Sequence, residues 1–133
     1  MEIISVINQK GGVGKTTTVI NLAAGLSKLK KKILVIDLDP QGNATTGLGL
    51  SNVDNSSDTI YGVLNGSKEI AQVIKKTQFD NLDIITSNVD LSGLEVETAD
   101  DSNRAFILKA KLALYLNNSR GSYDYVLIDC PPS

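Results

Sequence analysis

Histidine is absent from the 133 residues, and cysteine occurs once, at Cys130. Without histidine the chain cannot form a Ser-His-Asp triad, a Cys-His pair or a histidine-ligated metal site. One cysteine cannot form an internal disulfide, which favours a reducing cytoplasm, and we interpret Cys130 as a small core residue. No apolar run approaches the roughly 20 residues of a membrane-spanning helix, and the N-terminus lacks the basic and apolar regions of a signal peptide. We therefore expect a cytoplasmic protein with no membrane partner.

Neither positively nor negatively charged residues are in large excess. Lysine and arginine total 13 and aspartate and glutamate total 15, so the formal net charge is −2. With 41% hydrophobic and 21% charged residues, the composition is typical of a single globular domain. The total charge does not indicate a nucleic-acid-binding surface. We interpret a lysine cluster as the solvated end of a helix, with a DNA-binding patch as the alternative; it consists of Lys28, Lys30, Lys31 and Lys32.

Four short apolar runs rich in β-branched residues predict strands that are buried on both faces. They span residues 3–7, 33–36, 82–85 and 125–130. Because helical patterns alternate with these runs, the sequence predicts an α/β fold with a mostly parallel sheet flanked by helices on both faces. The chain ends directly after the last run, so we expect residues 1–133 to be the N-terminal part of a single, truncated domain whose C-terminal half is absent.

Helical spacing of apolar residues fills the segments between the predicted strands. Short helices are expected around residues 60–64, ending near Gly66, and around residues 70–74, with Ser67 as the N-cap. Residues 42–58 are predicted to be loop. Two longer helices complete the pattern, and their predicted buried positions are Val19, Leu22, Ala23 and Leu26 in the first, and Ile107, Leu108, Leu112 and Tyr115 within residues 103–116.

A glycine-rich turn, NQKGGVGK at residues 8–15, separates the first strand from the first helix, which we expect to begin near Lys15. A phosphate-binding loop is predicted at residues 9–17. Gly14-Lys15-Thr16 supply the second half of the phosphate-loop pattern G-x-x-x-x-G-K-[ST], but Gln9 stands where the pattern requires its first glycine. Backbone N–H groups of such a loop, and the N-terminus of the helix after it, bind phosphates. Lys15 can reach the β- and γ-phosphates and Thr16 can ligate magnesium. The sequence therefore predicts a P-loop NTPase-like fold with ATP or ADP and Mg²⁺ as cofactors.

Aspartates follow the second and the last predicted strands. Asp129 ends an apolar run, where P-loop NTPases hold magnesium; a turn or helix-capping aspartate is the alternative. Asp37 and Asp39 share a face if the strand continues that far, and otherwise are turn aspartates before Pro40. Since no histidine is available, we expect one of this pair to orient an attacking water while the other supports the site.

Five segments of the sequence carry a resemblance to a known family. NQKGGVGKTTT, VIDLDPQGNATTGLG and YDYVLIDCPPS resemble the ParA/Soj family of chromosome- and plasmid-partitioning ATPases, which carry a deviant Walker A motif. DTIYGVL and SNVDLSGLEVE resemble the same family between these motifs. The resemblance covers essentially all 133 residues, but only about the N-terminal half of a typical member.

The resemblance implies a role for each residue that matches a family motif. Lys10 matches the signature lysine, which reaches the partner's phosphates across an ATP-bound dimer, and Asp39 matches the aspartate that positions the hydrolytic water. These two are the implied catalytic residues. Thr16 and Asp129 match the magnesium ligands. The implied nucleotide-binding residues are Lys10, Gly11, Gly12, Val13, Gly14, Lys15, Thr16 and Thr17.

The same resemblance implies hydrolysis of ATP to ADP and phosphate by an ATP-dependent homodimer. It also implies a ParB-type partner protein, and nucleoid association through non-specific DNA binding by the full-length protein. Most of the DNA-binding surface lies in the half that this chain does not match, so DNA binding is not expected of this chain by itself. Three other interpretations stay open: a truncated, non-catalytic nucleotide-binding module that pairs with a full-length relative, a MinD-type cell-division ATPase, and a kinase of the bacterial tyrosine-kinase type.

Overall fold

The computed structural model of the protein describes residues 2–6, 13–50, 58–88, 101–119 and 123–129. Side chains are described from residue 18 onward, and within 101–119 only those of residues 106–115. Five strands and five helices form in this part of the chain. In order they are β1 (Glu2–Val6), α1 (Val13–Lys28), β2 (Ile33–Asp37), α2 (Asn43–Gly47), α3 (Ile60–Leu64), α4 (Ile70–Val73), β3 (Ile74–Lys76), β4 (Leu82–Ile85), α5 (Asp101–Ser119) and β5 (Tyr125–Asp129).

The strands form one sheet in the order β1-β5-β2-β4-β3. β1, β5, β2 and β4 run parallel, and β3 pairs with β4 in the antiparallel sense at the edge. The carboxyl ends of the central strands are aligned, because Ile36 is opposite Ile128 and Asp37 is opposite Asp129. This confirms the predicted α/β fold with a mostly parallel sheet.

Helices cover the sheet on both faces, and β2 shows why. Side chains alternate along a strand, so Ile33 and Val35 point to one face and Leu34 and Ile36 to the other. All four are fully buried. On the first face they pack with Val19 and Ala23 of α1 and with Leu48, which directly follows α2. On the second they pack with residues of α3, α4 and α5, including Val63, Ile70 and Leu112. A strand between two apolar layers cannot carry polar side chains in its middle, which explains the continuous apolar runs.

The short helix α3 and the long helix α5 agree with their predicted positions. Thr59 caps α3, since its hydroxyl accepts a hydrogen bond from the Tyr61 amide, and the chain leaves the helix through Gly66 at φ 88°. On α5, Leu108 and Leu112 are fully buried, and Ile107 and Tyr115 pack partly buried against the same core. No helix in the described ranges is long and apolar enough to cross a membrane.

Helix α1 begins and ends earlier than predicted. It begins at Val13, two residues before the expected start, and Lys28 is its last residue. Lys30 adopts a left-handed backbone (φ 62°), so the remaining lysines of the cluster follow the helix rather than close it. Leu22, predicted to be buried, is 39% exposed, while Val19 and Ala23 are fully buried. The buried face therefore follows positions four apart, and Leu22 lies beside it.

Three predictions between β2 and β4 were wrong. Residues 43–47 form the helix α2 instead of loop. The N-cap of α4 is Glu69, not Ser67: the Glu69 amide donates to Oε1 of Gln72, whereas the Ser67 hydroxyl donates to the carbonyl of Gly62. Ile74 belongs to strand β3, which sequence patterning missed because two of its three residues are lysines. The strand β3 depends on its pairing with β4, whereas the N-cap of α4 is decided by the local contact between Glu69 and Gln72.

Replacing Leu108 by Ala tests the packing of α5 on the sheet. Leu108 is fully buried in the second core, so its truncation should lower the unfolding free energy by about 2–5 kcal/mol. Leu114, on the same helix, is 66% exposed, and its truncation should cost less than about 0.5 kcal/mol. Urea denaturation of both variants measures the difference. Equal losses would contradict the assignment of the buried face.

Candidate functional site

Polar side chains meet at the carboxyl ends of three neighbouring strands. Asp37 ends β2, Asp129 ends β5 on one side of it, and the polar residues 86–88 follow β4 on the other side. Asp37 and Asp129 are register partners, and both are fully buried. The edge of the sheet at which α/β folds bind ligands thus carries two adjacent carboxyl groups inside the protein.

The carboxylate of Asp37 is held by three hydrogen bonds. Its Oδ1 accepts from the Asp39 amide at 3.0 Å. Its Oδ2 accepts from the Thr45 amide at 2.9 Å and from the Thr45 hydroxyl at 2.8 Å. Thr45 lies in the first turn of α2, where backbone N–H groups have no partner within the helix. Asp37 therefore caps α2 from the end of a strand and fixes the segment between them.

Burial raises the pKa of Asp37 from 3.8 to about 6. The hydrogen bonds from Thr45 and Asp39 favour the charged form and offset part of this rise, while the neighbouring charge of Asp129 adds to it. A carboxyl group with a raised pKa is costly to ionise in its present surroundings. The site is thus one where additional positive charge would be stabilising.

Asp39 lies in a tight turn beyond the strand and does not extend it. The Gly42 amide donates to the Asp39 carbonyl at 2.9 Å, which closes a four-residue turn with Pro40 in its second position. Oδ1 of Asp39 accepts from the Gln41 amide at 3.0 Å. Gly42 has φ 67°, a conformation that favours glycine, and α2 follows it directly. Asp37 and Asp39 therefore have different surroundings: the first is enclosed in the fold, and the second lies in the turn at its edge.

Two residues of this site were not singled out in the sequence, Thr45 and Ser87. The Thr45 hydroxyl, which donates a hydrogen bond to Asp37, also accepts one from the Ser87 amide at 3.0 Å. The Ser87 hydroxyl donates to the Asp39 carbonyl at 2.6 Å. Ser87 is the second polar residue after β4, so the rule that selected Asp37 and Asp129, the first polar residue after an apolar run, selects Thr86 instead. Nothing in the local sequence distinguishes Thr45 from its exposed neighbour Thr46.

The phosphate-loop prediction lies only partly within the described residues. Gln9, Lys10, Gly11 and Gly12 lie outside them, and so does Cys130. The backbone of residues 13–17, from Val13 to Thr17, forms the first turns of α1, so Gly14, Lys15 and Thr16 are at the N-terminal end of a helix that follows β1. That is the position from which a helix dipole and free N–H groups act on a phosphate. The ligand roles of these residues stay predictions.

Helix α1 contacts the segment after β2 directly. α2 packs on α1, and Gly47 of α2 lies against the side chain of Ile20 so closely that a β-carbon at Gly47 would collide with it. The helix that begins at the predicted phosphate loop and the helix capped by Asp37 are thus packed together. This contact fixes the carboxylates relative to the start of α1.

A cavity of about 430 Å³ lies at the opposite, amino end of the sheet, lined by Lys32, Lys76, Asn81, Asp83 and Tyr123. Tyr123 donates to Asp83 at 2.7 Å, so part of its polar lining is already paired. We place the candidate site at the carboxyl ends instead, because the buried carboxylates and the start of α1 converge there. Residues 7–12, which connect the carboxyl end of β1 to α1, lie outside the described ranges.

The fold and the site define the class of protein. A parallel sheet with a helix starting after its first strand, and acidic residues at the ends of the two neighbouring strands, is the architecture of the P-loop ATPases. The family model AAA_31, an AAA domain, matches residues 1–133. The chain therefore belongs to this AAA-domain family.

Curated relatives carry partition and sporulation names. The sporulation initiation inhibitor protein Soj of Bacillus subtilis is 44% identical over 132 residues, which is 99% of this chain and 50% of that protein. The chromosome partitioning protein ParA of Caulobacter vibrioides is 44% identical over 133 residues, 100% of this chain and 49% of that one. The chain thus spans about half the length of the curated relatives it matches.

A solved structure of similar fold comes from Mycobacterium smegmatis. It is described as cobyrinic acid a,c-diamide synthase with bound ADP and magnesium. It superposes with a TM-score of 0.86 at 37% identity, and covers 100% of this chain and 52% of that one. The fold is therefore shared with a protein that holds a nucleotide and magnesium.

Replacing Thr45 by Val tests the link between Asp37, α2 and Ser87. Valine has the shape of threonine but neither donates to Asp37 nor accepts from the Ser87 amide, so the unfolding free energy should fall by about 1–3 kcal/mol. Thr46→Val, at the exposed next position, is the matched control and should change stability by less than about 0.5 kcal/mol. Denaturant titration compares the two. A neutral Thr45→Val variant would show that these bonds do not hold the site together.

Proposed function

We propose that this chain is the nucleotide-binding part of an ATP-hydrolysing partition protein. The observation that carries the proposal is the adjacent pair of buried carboxyl groups, Asp37 and Asp129, at the same sheet edge as the turn of Asp39. Similarity to the Soj and ParA proteins supports the reaction, hydrolysis of ATP to ADP and phosphate. Residues 1–133 would form the N-terminal part of a single P-loop ATPase domain.

Phosphates would bind at the start of α1. Glycines in the loop let backbone N–H groups approach the phosphates, and Lys15 would bring its ammonium group to the β- and γ-phosphates. Thr17 would lie near the α-phosphate. The full set of proposed nucleotide ligands is Lys10, Gly11, Gly12, Val13, Gly14, Lys15, Thr16 and Thr17, of which only the last five begin a helix in the described part of the chain.

Magnesium fits the groups that the site offers. Mg²⁺ prefers oxygen ligands and is usually bound by one or two carboxylates together with phosphates and water, rather than by an all-protein cage. Among the described residues, no group of three or more acidic, histidine or cysteine side chains is arranged to hold a metal. Asp129 and the Thr16 hydroxyl would therefore be the protein's contribution, and the phosphates would supply the rest. Bound magnesium would neutralise charge on the phosphates.

Asp39 would position the water that attacks the γ-phosphate. The side chain is only 6% exposed, and the turn around it is closed by hydrogen bonds to its own backbone. Because phosphoryl transfer depends mainly on positioning and electrostatics, a carboxylate in a fixed turn suits this role. Lys10 would act on the phosphates bound by a second copy of the protein, as the signature lysine does in the family.

The biological role would be segregation of a chromosome or a plasmid. The full-length protein would act in the cytoplasm as an ATP-dependent homodimer, stimulated by a ParB-type partner and associated with the nucleoid through non-specific DNA binding. Support for the partition role comes from relatives named as chromosome partitioning proteins. The dimer, the ParB-type partner and DNA binding are what the resemblance to the ParA/Soj family implies. The half of those proteins that this chain does not match would supply most of the DNA-binding surface.

Replacing Lys15 by Ala tests the nucleotide site. Removing a charge-assisted contact to the phosphates should weaken MgATP binding roughly 10- to 100-fold. Lys28→Ala is the matched control, because Lys28 is an exposed lysine in the last turn of the same helix. Titration with a fluorescent ATP analogue measures both affinities. Equal affinity of Lys15→Ala and wild type would overturn the site assignment.

Replacing Asp39 by Ala tests the catalytic assignment separately from binding. ATP affinity should stay within about threefold, while turnover should fall about 100-fold or more, as expected for loss of a water-positioning group. Asp80→Ala, at an exposed turn, is the control. Phosphate release under saturating MgATP gives the rates. If the Asp39→Ala variant hydrolyses ATP as fast as wild type, the catalytic role of Asp39 is rejected. If the unmutated chain binds ATP tightly but does not hydrolyse it, a non-catalytic module is favoured.

A further inference from the structure

Ser87 reaches the proposed catalytic turn from a different strand. It lies just beyond β4, which pairs with β2, and it is fully buried. Its hydroxyl donates to the backbone carbonyl of Asp39 at 2.6 Å. Its amide donates to the Thr45 hydroxyl at 3.0 Å. A single residue thus contacts both ends of the segment that runs from β2 into α2.

The carbonyl that Ser87 contacts is the one that closes the turn. It also accepts the Gly42 amide at 2.9 Å. On the other side of the same residue, the Asp39 amide donates to Oδ1 of Asp37 at 3.0 Å. The backbone of Asp39 is therefore fixed at its N–H by Asp37 at the end of β2 and at its C=O by Ser87. These two bonds set the direction of the Cα–Cβ bond from which the carboxylate extends.

The segment that carries Ser87 is itself fixed to two other elements. The Ile60 amide, at the start of α3, donates to the Thr86 carbonyl at 2.9 Å. The ammonium group of Lys75, on β3, donates to the Thr86 hydroxyl at 3.0 Å. These contacts limit the movement of the backbone next to Ser87. A hydroxyl on an anchored segment can hold a neighbouring turn with little freedom.

We propose that Ser87 is a positioning residue for Asp39, which holds the turn so that the Asp39 carboxylate is aimed at the attacking water. The proposal rests on the proposed function, because it assigns the positioning to ATP hydrolysis. Ser87 itself touches neither nucleotide nor water in this scheme. Since a misplacement of about 1 Å can cost a large factor in rate, loss of one backbone contact is sufficient to lower turnover.

Amide hydrogen exchange of Ser87→Ala tests the hold on the turn without any need for activity. The variant loses the contact to the Asp39 carbonyl but keeps its own amide for Thr45. Exchange of the Asp39 and Gly42 amides should become about 3- to 10-fold faster, the factor expected for one neutral hydrogen bond, while the Leu112 amide in α5 keeps its rate. Ser67→Ala also removes a serine hydroxyl that donates to a backbone carbonyl, that of Gly62, and should leave the turn unchanged.

Turnover of a double-mutant cycle tests the catalytic consequence. Ser87→Ala should lower kcat about 3- to 10-fold with ATP affinity unchanged within twofold, because the phosphate contacts stay in place. In the Asp39→Ala background the same change should have less than a twofold effect, since the residue to be positioned is gone. Ser67→Ala should leave kcat unchanged in both backgrounds.

The two experiments separate failure of this inference from failure of the proposed function. Unchanged exchange at Asp39 and Gly42, or equal losses of kcat with and without Asp39, would overturn the positioning role of Ser87. An inactive wild-type chain, or an Asp39→Ala variant with full turnover, would overturn the proposed function and the catalytic consequence with it. Even then, faster exchange of the Asp39 and Gly42 amides in Ser87→Ala would show that Ser87 holds the turn in place.

Discussion

The buried carboxyl group of Asp37 is the feature on which the site depends. It lies at the end of the central strand, removed from water, and three donors from Asp39 and Thr45 surround it. Burial makes the ionised form of Asp37 costly, and the hydrogen bonds from these donors offset part of that cost. Because they come from the turn and from α2, satisfying Asp37 fixes the path of the chain beyond β2. The position of Asp39 is a consequence of that requirement.

Much of the fold could be predicted from the sequence because its central strands are buried on both faces. Residues 33–36 cannot tolerate a polar side chain, so they appear as an unbroken apolar run. Asp37 and Asp129 could be found for the same reason, since each is the first polar residue after such a run. The glycine-rich turn and the resemblance then indicated the family. The ligand roles of Lys10, Lys15 and Thr16 stay predictions.

The parts that sequence reasoning missed depend on contacts between distant residues. Ser87 is 42 residues from Thr45 and 48 from Asp39, and its importance follows only from the pairing of β4 with β2. The helix α2 has five residues, too few for a periodic pattern, and is stabilised by the cap from Asp37 and by packing on α1. Leu22 satisfies the helical spacing yet remains exposed, because the sheet covers only the side of α1 that carries Val19 and Ala23.

The proposed nucleotide site lies at the carboxyl ends of the strands, where Asp37 holds the turn. It can be located by measuring backbone amide chemical shifts of the labelled chain as MgATP is added. We expect the shift changes to concentrate at the start of α1, in residues 37–45 and 86–88, and at Asp129. Shifts concentrated instead around Lys32, Asn81 and Tyr123, beside the cavity at the opposite end of the sheet, would contradict this location.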